Sequence, residues 1–459
     1  MDTPDALRAP EMLLHPQYTL VDEIPQPGLA VLIRDGRFAD VGPQHEVRTR
    51  HPHLTPIELP GRLLMPGFID THNHLTQSYG KALAFGEPSE IFKRIWVPLE
   101  QHLTPEDLHL SAQLAALEAL RGGFTTVCDA GTRSEVGVEA IEAAVSTTGI
   151  RCVLARICHD LGPPATPEGQ VEQLAAQHLA RYAPGETIHP SLAIAIPEAA
   201  SDRMLHHTAH LCREAGVAFQ VHVNEHMASV ERSLVARGRR PLEVLHHADA
   251  LGPELLAAHV TLVTPSELSL LRAQGAAVSY NPVASSWKGN AVAPALQMQA
   301  LGIRLGLGTD GTRGDGFRLM DAAETAQRLT VGMAVGDFST GAGWTWLAMA
   351  SAWGADAAHL SHVTGRIAPG LAADCLLVDI DVPELTPSWD LGWELVRLSQ
   401  SRQIEAVMVQ GRLRLWQGWP VDWDARALMQ RVRERAHAAV AAAPIRRIHA
   451  TSAVARRSG

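Results

Sequence analysis

Four stretches of this 459-residue chain set metal-binding or proton-carrying side chains at the ends of apolar runs. The first is His72-Asn73-His74, directly after Phe68-Ile69-Asp70. In a strand, residues i and i+2 point the same way, so both imidazoles can face one ion. As plain loop histidines they would share nothing. The second is His222, which closes the run Ala218–Val221, with Glu225 three residues on. This reads as a ligand and a carboxylate on the following turn, or as a capping Glu at a helix start. The third is His259, after Leu255-Leu256-Ala257-Ala258. A single His on an apolar strand is also a common core residue. The fourth is Asp310, in Leu305-Gly306-Leu307-Gly308-Thr309-Asp310-Gly311. An acid that ends an apolar strand must be paired or hold a cation, because a bare buried carboxylate is costly; otherwise it is a turn or N-cap residue. Each signal is short. Together they bring imidazoles from three strands and a carboxylate from a late one, in chain order. Such a set suits Zn²⁺ or Fe²⁺, which accept mixed nitrogen and oxygen ligands and keep a position for water.

These side chains need a scaffold that gathers strand ends. From about Leu63 to residue 370, short apolar runs alternate with longer helical ones. Thr104-Pro105-Glu106-Asp107 opens one helix, with an N-cap Thr and Pro at the first position. Leu108–Leu120 carries apolar side chains at three- and four-residue spacing, and Gly122-Gly123 stops it. Eight strand candidates follow in order: Leu64–Ile69, Thr125–Val127, Arg151–Ile157, Ser191–Ile196, Ala218–Val223, Ala257–Val260, Ala277–Tyr280 and Arg304–Leu307. This alternation, over roughly 300 residues, predicts a parallel (β/α)8 TIM-type barrel with its chemistry at the C-terminal strand ends. Ahead of it, Leu29–Ile33 leads into Asp35-Gly36, a hairpin signal. Phe38–Val41 and Ile57–Leu59 also look like strands, and β character returns at Ala373–Asp379 and Ala406–Arg412. The two ends are expected to pair into a small β-sandwich domain. The expected division is residues 1–65 and 371–417 for that domain, 66–370 for the barrel, and 418–459 for a helix near Asp424–Ala442 and a polar tail.

With these residues in place, the chain resembles the amidohydrolase superfamily. The resemblance rests on Met65-Pro66-Gly67-Phe68-Ile69-Asp70-Thr71-His72-Asn73-His74, His222-Val223-Asn224-Glu225, His259 and Gly308-Thr309-Asp310-Gly311. Within it, the chain is similar to the aminohydrolase and chlorohydrolase branch of triazine hydrolases, guanine deaminase and adenosine-type deaminases. Pro98-Leu99-Glu100, Leu103-Thr104-Pro105-Glu106-Asp107 and Asn281-Pro282-Val283-Ala284-Ser285 support that branch. The resemblance spans about residues 25–415. It implies one divalent ion, zinc or iron, held by His72, His74, His222 and Asp310. Binuclear relatives need a carboxylated Lys on the fourth strand, and Ser191–Ile196 has none. The ion would bring the pKa of its water toward about 7. Asp310 would take the water proton, Glu225 would pass it to a ring nitrogen or leaving amine, and His259 would orient the water or polarise the substrate. The reaction implied is deamination of an amino-substituted heterocycle or amidine-like small molecule.

Other positions are candidates for substrate contact. Gln77 follows the histidine pair by three residues; Asn281, Ser285, Ser286 and Trp287 follow the seventh strand. Trp287 could stack on a flat ring or simply pack. Arg313 lies in Thr312-Arg313-Gly314-Asp315-Gly316, where many relatives carry a shorter polar loop. It could hold an anionic group or pair with Asp315. The same site would also serve hydrolysis of a C–Cl, N-alkylamine or cyclic amide bond, and a non-catalytic scaffold is a further reading. Lys+Arg 39 against Asp+Glu 49 gives a net charge of −10, which argues against a duplex DNA binder. No CxxC accompanies the histidines, so the nucleic-acid deaminase signature is missing. No run of 18 or more apolar residues suggests a membrane helix. MDTPDALRAP shows no secretory pattern. Five scattered cysteines (Cys128, Cys152, Cys158, Cys212, Cys375) read as reduced thiols. A cytoplasmic homo-oligomer, a dimer or larger, acting on a small molecule is the expectation.

Overall fold

The computed structural model describes residues 3–448 except 88–89, 135–136, 162–167, 184 and 337–340. The expected polar tail therefore lies largely outside the described residues.

Eight parallel strands are hydrogen-bonded in sequential order. They are Phe68–Asn73, Phe124–Asp129, Arg151–Ile157, Ile188–Ile194, Phe219–Val223, Leu255–His259, Ala277–Tyr280 and Arg304–Leu307. Parallel strands covered on both faces need apolar side chains throughout, and Phe124–Asp129 and Leu255–His259 are buried at every position. The first and eighth strands meet where the backbone N–H of Asp310 donates to the carbonyl of His72 at 2.8 Å. Beside it, Asp70 accepts from the backbone N–H of Thr309 at 2.9 Å and from its hydroxyl at 2.5 Å. The seam of the barrel thus runs between candidate ligands.

The expected strand Leu64–Ile69 is divided. Leu64 and Met65 end the strand Ile57–Pro66 of the terminal β-domain, and the barrel begins at Phe68. Gly67 makes the handover: a Cβ there would lie 2.1 Å from Thr125 Oγ1, so only glycine allows this approach. The helix Pro105–Arg121 is capped as its sequence requires, with Thr104 accepting from the N–H of Asp107.

Nine strands from both ends of the chain form one mixed sheet. Cys375–Asp379 lies antiparallel against Ile57–Pro66, and Ile404–Val409 follows it. Leu29–Arg34 and Arg37–Pro43 form the expected hairpin, with Arg34 opposite Arg37. Asp35 and Gly36 have φ of 50° and 76°, as a type I′ turn requires. Phe38 and Leu413, from opposite ends of the strand order, share one core with Leu14, Leu59 and Leu377. The sheet is rolled over itself, which is the form the expected sandwich takes. Arg151, at the start of the third barrel strand, forms a buried two-point pair with Asp374 of this domain at 2.8 and 3.1 Å. The helix Ala425–Ala442 is capped by Asp424 and reaches Asp107 through Arg435 at 2.7 Å. Among the described residues, no helix is long and apolar enough to cross a membrane.

Candidate metal centre and active site

The C-terminal strand ends bring the candidate ligands together. Ligand atoms of His72, His222, His259 and Asp310 all lie within 4.8 Å of one another. His74 joins them, with Nε2 at 3.2 Å from His222 Nε2 and 3.4 Å from Asp310 Oδ1. His72 Nε2 is 3.3 Å from the same oxygen. His222 Nδ1 donates to the carbonyl of Ala195 at 2.7 Å, so its Nε2 presents a lone pair to the centre. Burial holds His74 and His222 below the ordinary imidazole range, with His72 beside each as a further cause. Neutral imidazoles are what a metal needs. The buried Nε2 of His72 has no hydrogen-bond partner. Facing lone pairs, an orphaned imidazole nitrogen and one carboxylate oxygen fit a divalent cation.

His259 stands differently. Asn281 Nδ2 donates to His259 Nδ1 at 3.1 Å, while Asn281 Oδ1 accepts from Ser279 at 2.9 Å. With Nδ1 an acceptor, the proton of a neutral His259 sits on Nε2, 3.8 Å from Glu225 Oε1. That buried nitrogen has no hydrogen-bond partner and faces the carboxylate side of the centre. The backbone is strained here: His259 and Asp310 have φ of 76° and 58°. Left-handed non-glycine residues cost about 1–3 kcal/mol each and cluster at functional sites.

Glu225 sits across the centre from the imidazoles. Burial raises its pKa, but His259 and Lys288 outweigh that and hold it as a carboxylate. Asp310 is kept ionised against burial chiefly by Lys288. Lys288 Nζ donates to Glu225 Oε1 at 2.7 Å and also to Asp310 Oδ2. Burial lowers the Lys288 pKa, yet the two carboxylates lift it above its ordinary value. So a lysine does reach the centre, but from the helix Pro282–Lys288 after the seventh strand, and as an ammonium.

The centre opens into a cleft with about 100 Å³ of free volume, lined in part by Gln77, Arg133, Trp287 and Lys288. A larger cavity of about 920 Å³ lies at the other end of the barrel, beside Arg151 and His189 at strand starts. Barrel enzymes place their chemistry at the opposite face, and the ligand cluster is there. Gln77 reaches the cleft and donates to Glu100 Oε1 at 3.3 Å. Trp287 packs edge-on against Phe85, with ring centroids 5.5 Å apart. Three expected substrate contacts fall elsewhere. Asn281 stands behind His259. Ser285 is buried in the helix after the seventh strand and does not line the cleft. Arg313 is exposed and also off the cleft. Its loop is drawn away because Asp315 caps the next helix through the N–H of Arg318 and Gly314 packs against Ala119. Sequence reasoning missed Arg133, whose guanidinium is held by buried Glu100 at 3.1 Å and lies 4.4 Å from the Phe92 ring centroid. It also missed Lys288. Its signal was rarity: only three of the 39 basic residues, Lys81, Lys93 and Lys288, are lysines.

Known proteins share this sequence pattern and fold. A 5-methylthioadenosine/S-adenosylhomocysteine deaminase of Nitratidesulfovibrio vulgaris is 27% identical over 407 residues, covering 88% of this chain and 91% of that protein. A 5'-deoxyadenosine deaminase of Methanosarcina mazei is 29% identical over 392 residues, covering 83% and 87%. Among solved structures, a zinc-bound adenosine deaminase of Xanthomonas campestris superposes with a TM-score of 0.86 at 23% identity, covering 94% of this chain and 98% of that one. A zinc complex of atrazine chlorohydrolase from Arthrobacter aurescens gives 0.82 at 20% identity, covering 94% and 100%. Residues 30–53 match an imidazolonepropionase-like composite domain of bacteria. Residues 63–414, spanning the whole barrel and every candidate ligand, match the amidohydrolase family, and the chain belongs to that family.

Proposed function

We propose that the protein is a metal-dependent aminohydrolase that releases ammonia from an amino-substituted heterocycle or amidine-like small molecule. The observation that carries this reading is the convergence of His72, His74, His222 and Asp310 with Glu225 and His259 in one cleft. The names of the relatives, adenosine-type deaminases, support it. One zinc ion would be held by the three histidines and Asp310, and would supply an activated water at neutral pH. Asp310 turns Oδ1 to the imidazoles and Oδ2 toward Lys288 and Glu225, so Oδ2 is placed to take the water proton. Glu225, a carboxylate on the far side of Lys288, would take up that proton and pass it to the ring nitrogen or the leaving amine. His259 Nε2–H donates to the attacking oxygen. All five cysteines are buried and unpaired, which supports a reducing, cytoplasmic setting. The exposed Leu329, Met333 and Val335 support a homo-oligomer.

The test is ammonia release from a panel of amino-purines, pterins, pyrimidines, triazines and guanidino compounds, with metal content read on the same sample. One ion per chain and ammonia from a member is the expected result. A loaded protein that releases chloride or alkylamine and never ammonia would replace deamination with the other hydrolysis.

A further inference from the structure

Lys288 is set apart from the other two lysines. Lys81 and Lys93 have side chains 36% and 58% exposed, beside Glu118 and Glu90. Lys288 is 14% exposed and reaches the reaction centre. An ammonium carries three donors and accepts nothing. Two of its donors go to Glu225 Oε1 and Asp310 Oδ2. The side chain also lines the cleft, with Nζ 5.6 Å from the Trp287 ring centroid and no third oxygen partner among the described residues, so the third donor is open to an acceptor in the cleft.

We propose that Lys288 is a specificity-determining residue that uses this third donor to recognise an oxygen acceptor on the substrate, making the substrate an oxo-substituted amino-heterocycle. The proposal rests on the deaminase reading for the amine and on Lys288 for the oxygen. A ligand with an apolar edge there would leave a mostly buried ammonium donor unpaired, which costs more than a missing surface contact. The charge balance agrees. Four carboxylates and four cationic side chains line the cleft, so a bound divalent ion leaves it positive in a chain of net charge −10. The negative oxygen end of a ring carbonyl suits that field better than the C–H edge of a plain amino ring. Arginine could not take the role, because its planar fork cannot sit as a compact point charge between two carboxylates.

The test uses zinc-loaded full-length protein and matched pairs: cytosine with 4-aminopyrimidine, isocytosine with 2-aminopyrimidine, guanine with 2-aminopurine. Ammonia release and calorimetric binding are read for each, with zinc content. Wild type should favour the oxo member of at least one pair by about 10²-fold or more in kcat/KM or Kd, since a site built to bond a polar group rejects the analogue without it. Lys288→Met should cut that preference at least tenfold at unchanged zinc content. Lys288→Arg, which keeps the charge, should lose it too and guards against misfolding of the first variant. Equal treatment of both members by wild type, or a preference that survives both substitutions, overturns the proposal. So does a loss of zinc in both variants, which would make Lys288 a partner of the metal cluster alone. Oxo-selective binding without ammonia would sink deamination and keep the acceptor site. Ammonia from both members alike would do the reverse, and neither binding nor turnover sinks both.

Discussion

Asn281 Nδ2 lies 3.1 Å from Nδ1 of His259, and this contact decides which nitrogen of His259 carries the proton. The sequence offers Asn281 as a substrate contact; in the fold both ends of its amide are engaged, by Ser279 and His259, which argues for a positioning role. Losing a general acid–base group typically costs about 10²–10⁴-fold, and losing only the partner that fixes its tautomer should cost less, about 10–100-fold. Asn281→Ala should therefore lower kcat by about that factor, leaving KM within a few-fold and zinc content unchanged. Steady-state kinetics with metal analysis would check it. A rise in KM at constant kcat would return Asn281 to the substrate.

Glu225 and Asp310 should separate in their response to amide substitution. Glu225→Gln keeps the imidazole cluster intact, so metal content should hold while the rate falls about 10²–10⁴-fold. Asp310→Asn removes the charge shared by His72 and His74, so it should lose both metal affinity and turnover. Metal loss in the Glu225 variant would make Glu225 a ligand; near wild-type turnover in the Asp310 variant would remove the base assignment.

Arg151 and Asp374 tie the barrel to the terminal sheet. Their side chains are 1% and 0% exposed, and Asp374 also accepts from the N–H of Gln410 at 2.7 Å. Breaking one side of a buried pair strands the other charge, at about 3–5 kcal/mol. Asp374→Ala should lose about that much in urea unfolding. Arg151→Met with Asp374→Leu should recover most of it. A loss below about 1 kcal/mol for the single variant would show that water reaches Arg151.

Two histidines away from the centre, buried His178 and half-buried His189, add to the loss of stability in acid. Burial lowers His178 and His189 to about 4, and Arg151 adds to the effect at His189. An unfolded imidazole takes its proton near 6.5. Between pH 6.5 and about 4 the unfolded chain thus binds more protons, and stability falls as pH drops. Each group contributes up to roughly 3 kcal/mol of that loss by pH 4. Urea midpoints across this window should slope downward, and His178→Gln should flatten part of the slope. A flat profile above pH 4.5 in wild type would contradict it.

Much of the protein is legible without coordinates. Strand–helix alternation, the Thr104 cap and the Asp35-Gly36 turn are local signals, readable because propensity and hydrogen bonding act over a few residues. Polar residues at strand ends stand out for the same reason, since an apolar run makes His72, His222, His259 and Asp310 conspicuous. The boundary at Gly67 was not legible, because it depends on Thr125 being close by.

The amino-acid sequence by itself determined the barrel order, the terminal β-domain and the set of side chains able to hold a metal. Those follow from periodicity and residue type along one strand or helix at a time. Only the tertiary structure decided which polar residues meet. It turned Asn281 onto His259, sent Arg313 outward through the Asp315 cap, and brought Lys288 between Glu225 and Asp310. Glu225 and Asp310 are 85 positions apart in the chain, and no local pattern encodes a lysine between them. The contact exists because a closed barrel brings the ends of its fifth and eighth strands to one mouth, where the helix after the seventh reaches both.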